Sequence, residues 1–135
     1  MTQTTQAAPS FNGLGIAANL LAILGSQQFT KPTPIQHQVI PVALTGKDVV
    51  GIAQTGTGKT LAFGVPMIQQ LEINRGQGLI LLPTRELAIQ VDEVLRKIGH
   101  SLGVRTVVLI GGASMYQQLQ SLRRNPHIIV ATPGR

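Results

Sequence analysis

The sequence contains no cysteine, few acidic residues and no long apolar run. Without cysteine, the chain can form neither disulfides nor thiolate metal sites, which agrees with a reducing, cytoplasmic location. No apolar run approaches the ~18 residues of a membrane-spanning helix, and residues 1–10 lack the basic start and apolar stretch of a secretory signal. We therefore expect a cytoplasmic protein without a membrane partner, whose residues 1–10 form a disordered polar N-terminus.

Basic residues dominate the charge: eleven Lys and Arg against five Asp and Glu give a formal net charge of +6. Such an excess favours phosphate-bearing partners. The basic residues are spread along the chain, which favours one folded basic face over a disordered tail or a membrane-surface helix. With 135 residues, 43% of them apolar, the chain is large enough for one domain with its own core.

Strand-like and helix-like segments alternate along the chain. Helical spacing or capping predicts helices beginning near residues 16, 33, 58, 84 and 115, and Pro41 should interrupt or restart the second. Buried strands are predicted at the apolar runs 48–53, 79–82, 104–110 and 127–131. This order predicts an α/β fold, a three-layer parallel sheet with flanking helices, and ligands at the carboxyl ends of the strands.

Between the first predicted strand and the next helix, the sequence QTGTGKT has the context of a phosphate-binding loop. Gly56 and Gly58 allow backbone N–H groups to face phosphate, aided by the helix dipole. Lys59 should reach the β- and γ-phosphates, and Thr60 should offer its hydroxyl to Mg²⁺. Ala53 replaces the glycine that opens the strict pattern, a difference of one methyl group. The predicted nucleotide-binding residues are Gln54, Thr55, Gly56, Thr57, Gly58, Lys59 and Thr60.

An ordinary Gly/Thr loop with a solvated lysine is the alternative interpretation. The loop alone also does not separate a kinase, a GTPase, a transporter ATPase and a helicase. Four further stretches bear on that choice: FTKPTPIQ at 29–36, PTRELAIQ at 83–90, Gly111 with Gly112, and TPGR at 132–135. Together with the loop, and in this order, they resemble the DEAD-box ATP-dependent RNA helicase family from Phe11 to Arg135.

The resemblance implies that residues 11–135 are part of a RecA-like P-loop NTPase domain, incomplete at its C-terminus and without the second RecA-like domain. It also implies an enzyme that couples ATP hydrolysis to local unwinding of RNA duplexes, with ATP and Mg²⁺ as cofactors. In the family the FTKPTPIQ region recognises adenine, which implies that Gln36 hydrogen-bonds the base and Phe29 stacks on it, while Phe11 matches an upstream aromatic. Alternatively, Gln36 forms a capping box with Thr33, and both phenylalanines belong to the core.

The family's PTRELA, GG and TPGR segments hold the sugar-phosphate backbone of RNA, independently of sequence. Thr84 and Thr132 stand where helix N-termini should expose N–H groups, and Arg85 adds a fork-shaped phosphate donor. Helix caps and a surface arginine are the alternative interpretation of the same residues. The implied RNA-binding residues are Thr84, Arg85, Gly111, Gly112, Thr132, Gly134 and Arg135.

Two departures from the family pattern stand out. Gln28 occupies a position where the family has glycine. After TPGR the family continues to an acidic motif that binds Mg²⁺, and none of the five acidic residues here occupies an equivalent place. We therefore expect the chain itself not to hydrolyse ATP efficiently, and to expose Ile128, Ile129 and Val130 where the sheet ends. The alternatives are a non-catalytic nucleotide- or RNA-binding module and another P-loop ATPase.

Overall fold

The computed structural model describes residues 10–135, so the predicted disordered tail lies outside the described residues except for Ser10. The helices are α1 (Ala18–Ser26), α2 (Pro34–Ala43), α3 (Lys59–Asn74), α4 (Arg85–Gly99) and α5 (Met115–Arg123), with a 3-10 turn at His100–Leu102. The strands are β1 (Gly78–Leu81), β2 (Thr106–Leu109) and β3 (Ile128–Ala131). The alternation of strands and helices predicted from the sequence is confirmed from α3 to β3.

The three strands form one parallel sheet in the order β1-β3-β2. The strand that comes last in the chain therefore lies in the middle, where both of its edges are paired. Ile128 and Val130 are fully buried and Ile129 is half-buried. The expectation that these three side chains are exposed was wrong, because order along the chain does not give order across a sheet.

Residues 48–53, predicted as the first strand, do not form one. The segment pairs with none of the described strands, and Val50 and Ile52 are each 91% exposed. A strand needs a neighbouring edge for its backbone N–H and C=O groups. The apolar run therefore indicates a preference for burial, but the described sheet has no free strand edge that pairs with it.

Helices lie on both sides of the sheet, as predicted for a three-layer arrangement, but on the α5 side Leu79 and Leu81 of β1 stay exposed. The connection from β1 through α4 to β2 and the connection from β2 through α5 to β3 cross the sheet in opposite directions. Since crossovers between parallel strands are right-handed, α4 and α5 lie on opposite sides. On the α4 side, α3 packs on α4 across Gly64, where a Cβ would lie 2.9 Å from Leu95 Cδ2. The largest side chains that are fully buried in the core are Leu20, Leu24, Ile40, Val65, Ile68, Leu95, Ile98, Ile128 and Val130.

Helix α2 runs through Pro41 to Ala43, so the predicted interruption was wrong. Pro41 lies in the last turn, where it removes one backbone donor and leaves only two residues to follow. Meanwhile Ile40 is fully buried, and α2 packs along α3. Packing of this helix therefore outweighs the missing hydrogen bond.

Candidate functional site

The predicted ligand-binding residues gather at the carboxyl edge of the sheet. The strands are parallel, so the segments that follow β1, β2 and β3 leave the sheet at this same edge. They carry Thr84 with Arg85, Gly111 with Gly112, and the segment 132–135, respectively. Helix α3 also begins beside this edge, because it packs along α4 and precedes β1. One end of the domain thus holds both the phosphate loop and the predicted RNA contacts.

The phosphate loop has two glycines in the left-handed region, Gly56 at φ +81° and Gly58 at φ +83°. Thr57 Oγ1 donates a hydrogen bond to the Gln54 carbonyl at 2.5 Å, which closes the turn. The first helical hydrogen bond of α3 runs from Ala62 N to Gly58 O, at 3.4 Å. The backbone N–H groups of residues 59–61 are consequently free of helical partners and available to an anion.

Lys59 and Thr60 are the first two residues of α3. Lys59 is exposed and, among residues 10–135, has no carboxylate within 4 Å. Its side chain lines a largely apolar cleft of about 440 Å³ together with Ile35, Val39 and Phe63. Thr60 is half-buried at the same helix end, and its hydroxyl oxygen is a hard donor of the kind that Mg²⁺ accepts. The remaining loop residues, Gln54 and Thr55, are exposed.

Gln36 is buried, and both ends of its amide are hydrogen-bonded within the protein. Its Oε1 accepts from the backbone N–H of Thr33 at 2.9 Å, the Gln36 half of a capping box. Its Nε2 donates to the carbonyl of Gly58 at 3.0 Å and so ties α2 to the phosphate loop. Recognition of adenine by Gln36 stays a prediction. The amide keeps a second N–H on Nε2 and a second lone pair on Oε1 for a base, although the side chain is only 3% exposed. The link to Gly58 was missed from the sequence, because the two residues are 22 positions apart.

The two phenylalanines of the predicted adenine site lie against the core. Phe11 is 4% exposed and belongs to the main hydrophobic cluster. Phe29 is half-buried and packs against the same cluster. The core interpretation therefore fits Phe11 in this conformation. The half-buried ring of Phe29 keeps a solvent-facing side for a base, and stacking there remains a prediction.

Among the predicted RNA contacts, Arg85 and Gly112 lie against each other. A Cβ on Gly112 would approach Arg85 Nη1 to 2.7 Å, so the guanidinium rests over the glycine. Gly112 has a φ of +79°, which a glycine adopts freely. The Thr84 hydroxyl accepts from Leu87 N at 3.2 Å, as predicted for a helix cap. The sequence did not predict the contact between arginine and glycine, which joins the segments after β1 and β2.

The segment that follows the central strand also forms a turn at this edge. Thr132 N donates to Leu109 O at 3.1 Å, and Arg135 N donates to Thr132 O at 3.1 Å. Gly134 and Arg135 are exposed, and Arg135 Nη1 lies 3.6 Å from the sulfur of Met115. The Arg135 guanidinium is therefore held toward α5 and keeps most of its donors free.

The acidic residues do not form a metal centre within the part of the chain that the structure describes. Asp92 is buried, and its carboxylate accepts from Thr106 Oγ1 at 2.5 Å and pairs with Arg96 Nε at 2.8 Å. The other four acidic residues, Asp48, Glu72, Glu86 and Glu93, are exposed. No helix of the described residues is long and apolar enough to cross a membrane.

Known structures share this fold. The RNA helicase Prp28 from Chaetomium thermophilum, solved with ADP, superposes with a TM-score of 0.83 at 42% identity, over 93% of this chain and 32% of that one. A DEAD box protein from Methanococcus jannaschii gives a TM-score of 0.85 at 39% identity, over 93% of this chain and 35% of that one. The fold is thus that of a RecA-like P-loop domain.

The sequence comparisons identify the family. The model of the DEAD/DEAH box helicase family matches residues 33–135, and the chain belongs to that family. It is 51% identical to the ATP-dependent rRNA helicase RRP3 of Debaryomyces hansenii, over 93% of this chain and 27% of that protein. It is 48% identical to the DEAD-box ATP-dependent RNA helicase CshA of Bacillus cereus, over 93% of this chain and 24% of that protein. The chain spans about a quarter of the length of these relatives.

Proposed function

We propose that this chain is the ATP- and RNA-contacting front part of an ATP-dependent RNA helicase, whose complete form couples ATP hydrolysis to local unwinding of RNA duplexes. The observation that carries the proposal is that the start of α3 and the segments after β1, β2 and β3 lie at the same edge of the sheet. ATP and RNA bound at that edge would lie close enough for one to affect the other. The cytoplasmic location predicted from the composition belongs to the same proposal.

In this proposal the triphosphate of ATP lies over the start of α3. The N–H groups of residues 59–61 and the positive end of the helix dipole face the phosphates, and the Lys59 ammonium neutralises their charge. The hydroxyl of Thr60 would hold Mg²⁺ together with phosphate oxygens, and the bound ion would supply further charge neutralisation. Gln36 holds the carbonyl of Gly58 and thereby positions the loop beneath the nucleotide.

RNA binding in this proposal uses backbone contacts. Arg85 and Arg135 offer guanidinium groups to phosphates, and Gly112 lets the RNA backbone approach without a side chain between them. Contacts of this kind are independent of sequence and weaken as the salt concentration rises. The chain would therefore hold many RNAs with similar affinity.

Hydrolysis is expected to be slow in the 135-residue chain. The one buried carboxylate, Asp92, is already bonded to Arg96 and Thr106. Glu86 lies in the first turn of α4, where it follows Arg85, and the other three exposed carboxylates do not follow a strand. A side chain that orients the attacking water is thus missing from the expected place. Binding without efficient turnover is the activity proposed for the chain itself.

The test measures ATP hydrolysis with and without RNA, for this chain and for a form extended through the native coding sequence. We expect RNA-stimulated turnover only in the extended form, and we expect Lys59→Ala to abolish it there. Binding of a fluorescent ATP analogue to the 135-residue chain, with Lys59→Ala as the control, measures nucleotide binding by the phosphate loop independently of hydrolysis. Absence of RNA stimulation in both forms would reduce the function to nucleotide binding.

A further inference from the structure

A second basic surface lies at the opposite, amino edge of the sheet. It is formed where α4 and α5 end and where β2 and β3 begin. Residues 92–127 contain five of the eleven Lys and Arg but only two carboxylates, Asp92 and Glu93. We call this the amino-edge basic surface, and its members are Arg96, Lys97, His100, Arg105, Arg123 and Arg124.

Two adjoining clefts make part of this surface concave and continuous. One has a volume of about 360 Å³ and is lined by Arg96, His100, Arg105 and Arg124. The other, of about 370 Å³, shares Arg96 and His100 and adds Lys97. The basic side chains contributed by α4, α5 and the start of β2 thus border one groove. A groove lined by one sign of charge concentrates the field that attracts an oppositely charged ligand.

Local contacts hold two of the arginines in place. Arg96 is fixed by Asp92, and Arg105 Nη2 donates to the carbonyl of Asn125 at 2.9 Å. Lys97 and Arg124 make no side-chain hydrogen bond or ion pair with any residue in the range 10–135. Two arginines that are held in place, beside two cations that are unpaired, suit an extended anion with repeated charges better than a single small anion.

We propose that the amino-edge basic surface is a second binding site for the RNA phosphate backbone, separate from the carboxyl edge. RNA is favoured over an acidic protein because arginines predominate and no Phe, Tyr or Trp lines either cleft, whereas protein interfaces usually depend on aromatic anchors. The choice of RNA as the polyanion rests on the proposed function. A strand of four residues spans about 13 Å, so the two sites lie on opposite ends of the domain.

The test compares RNA affinities of the 135-residue chain and its Lys97→Gln/Arg124→Gln variant, measured by fluorescence anisotropy with a labelled single-stranded RNA over a range of salt concentrations. We expect affinity to fall about tenfold at low salt, and the slope of log K against log salt to shrink by about 1.4, since each single-strand phosphate contact contributes about 0.7. The matched control is Lys31→Gln/Lys47→Gln, which removes the same charge elsewhere. Equal thermal midpoints by circular dichroism establish that both variants are folded.

The outcomes separate this inference from the proposed function. Arg85→Gln/Arg135→Gln tests the carboxyl edge, and its failure to weaken RNA binding would count against the proposed function alone. If Lys97→Gln/Arg124→Gln binds RNA no more weakly than the control variant, the second RNA site is refuted. Polyglutamate serves as the probe for an acidic protein. If Lys97→Gln/Arg124→Gln loses polyglutamate binding while its RNA binding is unchanged, the surface binds an acidic protein and the inference is overturned as well.

Discussion

Gly58 satisfies two independent requirements at a single residue. Its φ of +83° lies in the left-handed region, and a Cβ would collide with the Gln36 amide that holds its carbonyl. From the sequence, we expected this glycine to let the backbone approach phosphate. The sequence did not predict that the same glycine receives Gln36, because that contact depends on how α2 packs beside α3. The sequence thus identified both residues of the site, whereas packing determines how they are connected.

Gln28 shows the opposite situation, a residue whose type does not suit its conformation. It has a φ of +65° and follows α1. Gln28 N donates to Gly25 O and Phe29 N donates to Leu24 O, the two hydrogen bonds of a Schellman motif. The backbone at Gln28 is therefore left-handed, a conformation that suits the family's glycine and that a glutamine adopts at a cost.

We predict that Gln28→Gly raises the free energy of unfolding by about 0.5–1 kcal/mol. A left-handed conformation costs an ordinary residue about 1–2 kcal/mol, and the extra freedom of glycine in the unfolded chain offsets about 0.5–1 kcal/mol of that gain. The thermal midpoint should rise by about 3 °C, measured by circular dichroism. The matched control is Gln27→Gly, whose φ of −92° is normal. That variant should be no more stable than the parent, and a parallel rise in both would contradict the argument.

At the level of elements, the sequence predicted the five α-helices of residues 10–135, and three of its four predicted strands form. Helix periodicity and caps are local signals, so Thr84 and the start of α4 were placed correctly. Pairing is not local. Residues 48–53 have the apolar pattern of a strand without a partner, and β3 lies in the centre although it comes last. The candidate site at the carboxyl edge could still be predicted, because it depends on strand direction more than on strand order.

Asp92 joins α4 to β2, and we predict that Asp92→Ala lowers the free energy of unfolding by about 2 kcal/mol. The substitution leaves the Thr106 hydroxyl without its acceptor and removes the partner of Arg96. Arg96 is 63% exposed, so solvent screening keeps the ion-pair contribution small. Urea denaturation gives the difference, and the neighbouring exposed residue provides the control: Glu93→Ala should change stability by less than about 0.5 kcal/mol. Similar losses in both variants would show that Asp92 has no special part in holding α4 on the sheet.

For the whole molecule, the main feature is apolar surface on one side of the sheet. Leu79 and Leu81 of β1 point away from α3 and α4 and are 60% and 58% exposed. The outer edge of β1 pairs with no strand among residues 10–135, and Val50 and Ile52 are exposed as well. An unpaired parallel edge beside apolar side chains is a site at which other chains can add. The expected association of this chain thus depends on β1 and not on β3.

We predict that the 135-residue chain self-associates as its concentration rises, and that Leu79→Lys shifts it toward the monomer in sedimentation velocity experiments. A lysine at this position adds charge to the exposed face of an edge strand, which opposes pairing with another copy. Ile73→Lys introduces the same charge at a 68% exposed position on α3, and it should leave association unchanged. If the parent chain is a monomer at all concentrations and unfolds in one sharp two-state transition, the exposed surface of β1 does not drive self-association and the prediction is wrong. If both variants reduce association equally, net charge is the cause, and the β1 edge has no specific role.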